Sequence, residues 1–252
     1  MRKPAAGEII IRKNTWFRKD TIMSLLRLIR KLLPLLLLGA CATVPAPPLD
    51  YRPGAAVETL SSAVSLSINS AEGSMSGSGY LLFRRPDKLH LVVLSPFGTT
   101  LMEAFALGDR ITLIYPSQST AYVGHFNELP TKGGLQGWRL MRWVMDADAS
   151  AGQPRSGTVE RTGRLGIAEK VTYENGLVTA KESADGDHVN YRSYKVVGGV
   201  PLAAELDLSN SRGDRFRIVL DEPEVNTPLD DAVFTPKLDG LTIIPLAALR
   251  GM

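Results

Sequence analysis

Most of the chain beyond residue 60 alternates between apolar and polar residues with a period of two. The alternation is plain in Ala63–Asn69 and in Arg215–Leu220, where every second residue is apolar. This period places alternate side chains on opposite faces of an extended strand and is typical of antiparallel strands with one buried face. No repeating helix separates these segments, which argues against a parallel α/β sheet. The sequence therefore predicts a mainly β fold of the α+β class.

The alternation and the turn residues together predict about eleven strands in two antiparallel meanders. The strands of the first meander are predicted at Ala63–Asn69, Ser76–Arg84, Lys88–Leu94, Thr100–Leu107, Arg110–Tyr115 and Thr120–Gly124. Those of the second are predicted at Gly166–Glu174, Leu177–Glu182, His188–Val197, Leu202–Ser209 and Arg215–Leu220. Two-residue hairpin turns are expected at Gly108-Asp109 and, with the stronger signal, at Asn175-Gly176.

One helix of functional interest is predicted between the meanders, at Leu135–Met145, and a short one earlier, at Gly54–Leu60. Apolar residues cover most of the circumference of the first, leaving Gln136, Arg139 and Arg142 as its polar side. Such a helix is expected to be buried on more than one face. Packed on the concave side of a sheet, it would leave a space in which an apolar ligand could lie.

The N-terminal region contains the only cysteine, Cys41, which excludes an intramolecular disulfide and a thiolate zinc cluster. Basic residues precede the apolar run Leu32–Leu38, which is far shorter than the roughly 20 residues that span a bilayer. The following Gly39-Ala40-Cys41 looks like a lipobox. We therefore expect residues 1–40 to be a signal peptide, with Met23 as a candidate start, and Cys41 to carry diacylglyceryl and a further acyl chain such as palmitate. The alternative is a secretory signal with a chance cysteine.

Residues 41–50 are expected to form the lipidated end and a proline-rich tether, residues 51–240 the folded domain, and residues 241–252 a C-terminal tail. Ala42 follows the cysteine in place of the aspartate that retains lipoproteins in the inner membrane of well-studied bacteria. The outer membrane is therefore the expected location.

The charge of the chain is concentrated in the leader. Residues 1–40 hold nine Lys/Arg and two Asp/Glu, so the rest has 20 basic and 24 acidic residues, a net charge of −4. A nucleic-acid partner is not expected, because the folded domain lacks a basic excess.

Motifs that would indicate an enzyme, a metal site or a cofactor are absent from the sequence. The three histidines, His90, His125 and His188, are far apart, and no G-x-S-x-G, H-E-x-x-H, P-loop or dinucleotide-binding motif occurs. We therefore expect no catalytic residues, no metal and no cofactor, with an unrecognised triad as the open alternative.

Two segments resemble the LolB family of lipoprotein receptors, which shares its fold with the LolA carriers. Lys88–Leu101, containing Ser95-Pro96-Phe97-Gly98, is similar to the family's strand, Asn-Pro-Leu-Gly loop and next strand. Leu140–Met145 is similar to the family's Leu-Arg-Gln-Trp-Ile-Leu lid segment. The ending Pro228–Pro236 also resembles a turn found across the superfamily. This sequence departs from the pattern with Ser95 for Asn and Phe97 for Leu.

The resemblance implies a half-open antiparallel β-barrel closed by a helical lid. It further implies a monomer on the periplasmic face of the outer membrane, which receives lipoproteins from a LolA-like carrier, shelters their acyl chains and inserts them into the membrane. Pro96, Phe97 and Gly98 would form the membrane-insertion loop, with Phe97 in water. The alternative is that Phe97 folds back into the core.

The expected lining of the acyl cavity comes from the early strands and the lid. The candidates are Leu82, Leu91, Val93, Phe105, Leu113, Tyr115, Trp138, Met141, Trp143 and Met145. A one-residue shift in register would exchange the strand members for their neighbours. The rival function is a structural or assembly lipoprotein that binds a protein or glycolipid partner on an open sheet.

Overall fold

The described part of the chain forms one sheet. The computed structural model describes residues 49–51, 54–71, 73–129, 136–147 and 155–249. Within these ranges the chain folds into a thirteen-stranded sheet and a single α-helix. The two outermost strands are not paired with each other, so the sheet is not closed into a barrel.

Six strands precede the helix and seven follow it. The strands of the first half are β1 Thr59–Ser70, β2 Gly73–Arg84, β3 Lys88–Leu94, β4 Thr100–Leu107, β5 Arg110–Tyr115 and β6 Thr120–His125. The helix is α1 Gln136–Met145. The strands of the second half are β7 Gly157–Thr162, β8 Ala168–Glu174, β9 Leu177–Ser183, β10 His188–Val197, β11 Val200–Ser209, β12 Arg215–Val225 and β13 Thr242–Pro245.

Two meanders are joined in the middle of the sheet by pairing of β1 with β12. The strand order is β13-β6-β5-β4-β3-β2-β1-β12-β11-β10-β9-β8-β7, antiparallel except for β13 with β6. In the central pair, Leu66 lies opposite Ile218 and Ile68 lies opposite Phe216. Because paired residues point to the same face, these alternating apolar residues form one continuous inner surface.

The mainly β class and the two antiparallel meanders are confirmed. β3, β4, β5 and β10 have the predicted bounds. The Asn175-Gly176 hairpin is also confirmed, with φ of +53° and +83° at its two central residues. A type I′ turn requires positive φ at both positions, which asparagine and glycine tolerate best.

The prediction of eleven strands is wrong, because β7 and β13 were missed. β7 has a single apolar residue, Val159, and pairs only with β8 at an exposed edge, so it shows no apolar alternation. β13 is four residues long and is held by parallel pairing to β6, a contact that local sequence does not encode. The short helix predicted at Gly54–Leu60 is also absent, since β1 begins at Thr59 and no helix precedes it among the described residues.

The C-terminal segment packs against the first half of the sheet. Asp231 accepts hydrogen bonds from Lys88 and Arg84, each at 2.6 Å, and these two cations hold the pKa of its carboxyl below the usual value. Phe234 is buried beside them. Residues assigned to a tail thus contribute β13 and the buried Leu246 to the folded sheet.

Helix α1 contacts strands of both meanders. Its buried residues Met141 and Val144 belong to the same apolar cluster as Leu89 of β3 and Tyr191 of β10. A single helix can touch strands this far apart in the sheet order only if the sheet bends around it. The core therefore lies between α1 and the inner face of the sheet.

A buried ionic cluster fixes the C-terminal end of α1. The Lys181 Nζ lies 2.8 Å from a carboxylate oxygen of Glu169, and both side chains are fully buried. The same amine donates to the carbonyl oxygens of Trp143 and Asp146 at 2.9 and 3.2 Å, and the Trp143 indole donates to Glu169 at 2.6 Å. These contacts satisfy helix carbonyls that have no partner within the helix. We call Lys181, Glu169 and Trp143 the anchor cluster.

Neighbouring groups complete the hydrogen bonding of the anchor cluster. The Tyr191 hydroxyl donates to the carbonyl of Val144 at 2.7 Å, and burial holds the pKa of this phenol well above its usual value. Burial opposes the charge of Glu169, but hydrogen bonds from Lys181, Arg161 and Trp143 more than offset it and lower the carboxyl pKa. Burial lowers the pKa of the Lys181 amine, against the opposing effect of Glu169.

Replacing Lys181 by methionine is expected to destabilise the fold by about 3 kcal/mol, because Glu169 would lose its fully buried cation, keeping Arg161, and the carbonyls of Trp143 and Asp146 would lose their donor. The measurement is urea unfolding followed by circular dichroism. The matched control is Arg217→Met, which removes an exposed pair with Glu205 and should cost less than about 1 kcal/mol. A loss below about 1 kcal/mol for Lys181→Met would contradict the role assigned to the anchor cluster.

Candidate functional site

A large apolar groove lies between the N-terminal half of α1 and the inner face of the sheet. Its volume is about 630 Å³, within the range of about 300–1,000 Å³ typical of sites for small ligands. Strands from both meanders line it, with mostly aliphatic and aromatic side chains: Leu66, Ile68, Met75, Leu91, Val93, Leu101, Met102, Tyr115, Trp138, Met141, Leu208, Phe216 and Ile218. We refer to this space as the groove.

Five of the ten predicted lining residues border the groove. They are Leu91 and Val93 of β3, Tyr115 of β5, and Trp138 and Met141 of α1. Trp138 and Met141 lie within the first six residues of α1, whereas the anchor cluster holds the C-terminal end of the helix. The groove therefore lies at the end of the helix that the ionic contacts do not fix.

The other five predicted lining residues do not border the groove. Leu82 pairs with His90, which pairs with Phe105, so Leu82 and Phe105 lie on the outer face of the sheet. There the Phe105 ring stacks on His90 with 3.9 Å between centroids. Leu113 is on the inner face but is completely buried.

Trp143 and Met145, the remaining two, are buried in the core at the C-terminal half of α1. Trp143 belongs to the anchor cluster, which explains its burial. The apolar character of the helix correctly indicated burial of Met141, Trp143 and Met145, whereas Trp138 is partly buried. It did not distinguish Trp138 and Met141, which border the groove, from Trp143 and Met145, which lie at the end of the helix beside the ionic contacts.

Sequence reasoning missed the contribution of the central strands to the groove. Leu66 and Ile68 of β1 face it together with Phe216 and Ile218 of β12. The sequence shows the period-two alternation of these residues, but it does not show that β1 pairs with β12. Only that pairing brings them to one surface.

The loop between β3 and β4 presents Phe97 to solvent. The Phe97 side chain is 93% exposed, so it is not folded back into the core. The loop is closed by hydrogen bonds from the Gly98 amide to the Ser95 carbonyl at 3.0 Å and from the Ser95 amide to the Thr99 carbonyl at 2.8 Å. Gly98 has φ of +79°, a conformation that glycine adopts without strain.

The Ser95 hydroxyl fixes this turn from within. It accepts hydrogen bonds from the amides of Phe97 and Thr99, both at 3.2 Å, and lies 2.7 Å from the Thr99 hydroxyl. An asparagine side chain makes the same kind of contact to the amide two residues on. Serine at position 95 therefore preserves the geometry of the turn, and Pro96 at the next position fixes φ.

The groove opens at the end of the sheet that carries Phe97. Pro96 borders the groove, and so do Leu101 at the start of β4 and Met75 near the start of β2. Met75 and Leu101 are also exposed to solvent. Apolar side chains thus continue from the interior of the groove to the exposed tip of the loop.

The groove has little charge of its own. Among the described lining residues one is cationic, Arg217, and it is paired with Glu205 at 2.5 Å and with Asp207 at 3.5 Å. Burial raises the pKa of the Tyr115 phenol, which favours its neutral form. An uncharged, apolar ligand suits such a lining.

The three histidines have separate partners outside the groove. His90 lies 3.1 Å from Glu103, His125 lies 2.9 Å from Asp109, and His188 lies 3.0 Å from Asn190. Among the described residues no three His, Cys, Asp or Glu side chains are grouped to hold a metal ion. The same residues contain no helix long and apolar enough to cross a bilayer.

Several predicted features lie outside the described residues. They are the signal peptide, the Cys41 lipobox, the tether up to residue 48 and the last residues of the chain. Residues 149–156, an irregular stretch of sequence to which we assign no role, also fall mostly outside the described residues.

Two solved structures share this fold. A DUF1329 family protein from Desulfovibrio piger ATCC 29098 aligns over 71% of this chain and 90% of its own length, with 13% identity and a TM-score of 0.52. A LolA superfamily protein from Nitrosomonas europaea aligns over 73% of this chain and 93% of its own, with 11% identity and a TM-score of 0.51. The fold is therefore LolA-like.

The sequence also matches a family model. The model describes the outer membrane lipoprotein LolB and covers residues 59–222, from the first residue of β1 into β12. No curated protein matches the chain. The family match includes the residues that line the groove in both meanders, the Phe97 loop and α1, and it confirms the resemblance seen in the sequence. This chain belongs to the LolB family of outer membrane lipoproteins.

Proposed function

We propose that the protein receives lipoproteins from a periplasmic LolA-like carrier and inserts them into the outer membrane. The observation that carries this proposal is the continuity of the apolar groove with the exposed Phe97 loop at one end of the sheet. A lipoprotein that crosses the periplasm exposes acyl chains to water, and the groove would shelter them. The proposed activity is transfer and involves no catalytic residue.

The hydrophobic effect would supply the binding energy. Each acyl methylene removed from water contributes about 0.8 kcal/mol, provided that the site is apolar. The lining includes Met75, Met102 and Met141. Methionine side chains are flexible and polarisable, so they can repack around chains of different shape.

Helix α1 would act as the lid of a half-open barrel. The anchor cluster ties its C-terminal end to β8 and β9, whereas Trp138 and Met141 face the groove from its N-terminal half. An opening motion would therefore move the N-terminal half away from the sheet while the anchored end stays in place.

The Phe97 loop would contact the bilayer during release. An exposed aromatic side chain on a turn closed by hydrogen bonds can enter the membrane interface without unfolding the domain. Acyl chains would then pass from the groove into lipid, an environment at least as apolar and free of the constraint imposed by the groove walls. No nucleotide is needed when the bilayer is the more stable location.

A lipid anchor on Cys41 would hold the protein, as a monomer, on the periplasmic face of the outer membrane. The Tyr51 hydroxyl donates to the Asn175 carbonyl at the end of the sheet opposite Phe97. The ten residues from Cys41 to Tyr51 can span about 35 Å when extended. A tether of this length lets the domain reorient so that Phe97 reaches the bilayer.

Replacing Cys41 by alanine should abolish the lipid anchor, because the thiol is the acceptor of the diacylglyceryl group. The measurement is incorporation of radiolabelled palmitate in growing cells, followed by membrane fractionation. Native protein should be labelled and found with the outer membrane. Equal labelling of the Cys41→Ala chain would contradict lipidation at this residue.

Replacing Phe97 by glutamate should slow insertion of lipoproteins on the order of tenfold, because a charge is held out of the membrane interface. The assay supplies the full-length chain to host cells depleted of the native protein and follows lipoproteins in the outer membrane. The matched control is Leu107→Glu, which places the same charge on a 51% exposed leucine at the opposite end of β4.

The two variants together test the proposed function. Leu107→Glu should support insertion at the native rate, and Phe97→Glu should leave acyl binding intact. If depletion of the native protein leaves lipoproteins in the outer membrane at their normal level, the proposed function is wrong. If Phe97→Glu inserts lipoproteins as well as Leu107→Glu does, the loop has no role in release.

A further inference from the structure

The inner face of β2 carries two successive glycines between larger side chains. Toward the end of the sheet away from Phe97, it carries Phe83 and Leu81, which are buried and fill the interior. At the next two inward positions it carries Gly79 and Gly77. The solid core ends, and the groove begins, at these two glycines, and the next inward residue, Met75, is an exposed part of the groove lining.

Gly79 has a local backbone reason to be glycine. A Cβ atom at this position would collide with the carbonyl oxygen of Val92 on the adjacent strand β3. The close approach of the two strands therefore requires glycine here, whatever the groove contains.

Gly77 has no such reason. A Cβ atom there would lie 3.5 Å from the Leu94 carbonyl oxygen and 3.7 Å from Cγ1 of Val93, both ordinary van der Waals contacts. Gly77 is also not among the glycines with φ in the left-handed region. The backbone would accept a side chain at position 77 without strain.

A side chain at position 77 would enter the groove. Gly77 lies opposite Leu66 in the β1–β2 pair, and both residues border the groove together with Val93. Glycine in a strand interior lowers strand stability, so its presence here is a cost that the backbone does not demand. The open space above Gly77 is the feature that explains it.

We propose that Gly77 is a specificity-determining residue: its bare backbone sets the width of the groove so that several acyl chains of one lipoprotein are accepted together. The inference rests on the proposed function and adds the number of chains to it. A larger residue at this position would narrow the groove and restrict it to fewer chains.

The test compares Gly77→Ala, Gly77→Leu and Ser78→Leu in the full-length protein, as its host processes it, reconstituted in nanodiscs. Ser78 is the adjacent residue of β2 and is exposed on the outer face, so it receives the same added side chain outside the groove. Two synthetic lipopeptides serve as probes, one with a single palmitoyl chain and one with three, each carrying a diazirine in one chain. Photocross-linking yield is measured for each, with thermal unfolding as a check of the fold.

Gly77→Leu should keep cross-linking of the single-chain probe within about twofold of native and lose cross-linking of the three-chain probe by about tenfold or more. Gly77→Ala should give a cross-linking yield of the three-chain probe between those of native protein and Gly77→Leu. Ser78→Leu should give the native yield with both probes. Thermal stability should be unchanged or raised, because a strand residue with a side chain replaces glycine.

If Gly77→Leu changes the cross-linking yield of both probes by the same factor, the proposed role of Gly77 is wrong. Acyl binding by the native chain would not be affected by that result. Failure of the native protein to cross-link either probe would instead overturn the proposed function. The two failures are therefore distinguishable.

Discussion

The ion pair between Lys181 and Glu169, buried under the C-terminal end of α1, determines where the helix lies. A buried charge is tolerated only when it is paired and hydrogen-bonded, and here the helix itself supplies carbonyl partners to the Lys181 amine. Moving that end of the helix would take the carbonyl acceptor of Trp143 away from the Lys181 amine and the Trp143 indole donor away from Glu169 in the core. The opposite end carries Trp138 and has no comparable contact to the second meander among the described residues, so the space beside it can remain open.

On β2, the groove begins where two inward glycines follow the large residues of the core. Where β2 carries Phe83 and Leu81 the interior is filled, and where it carries Gly77, opposite Leu66, the groove is open. One strand, β2, thus contributes both to the stability of the core and to the volume of the groove. The exposed Phe97 lies at the hollow end, where a transferred chain would have to leave.

The sequence allowed the strands to be located because apolar alternation is a local property, and four strands were placed with their observed bounds. It could not supply the pairing of β1 with β12 or of β6 with β13, which depends on chain segments far apart. The edge strand β7 was missed because an exposed edge needs no buried face.

The difference between local pattern and long-range pairing also explains which site residues were predicted. Leu91 and Val93 border the groove, whereas Leu82 and Phe105 point outward, because the face of each strand depends on register. The polar contacts of Trp143 were not foreseeable, since Lys181 is 38 residues away in the chain. The exposure of Phe97 was one of two alternatives, and the Ser95 turn explains it.

The central claim is that acyl chains of lipoproteins occupy the groove. The most direct measurement places a benzoylphenylalanine at Met75, 59% exposed on the inner face of β2, or at Tyr80, 55% exposed on its outer face. After irradiation of living cells that express the full chain, the Met75 position should cross-link to lipoproteins through their acyl chains and the Tyr80 position should not. Equal cross-linking from both positions, or cross-links from Met75 only to protein without acyl chains, would contradict the account.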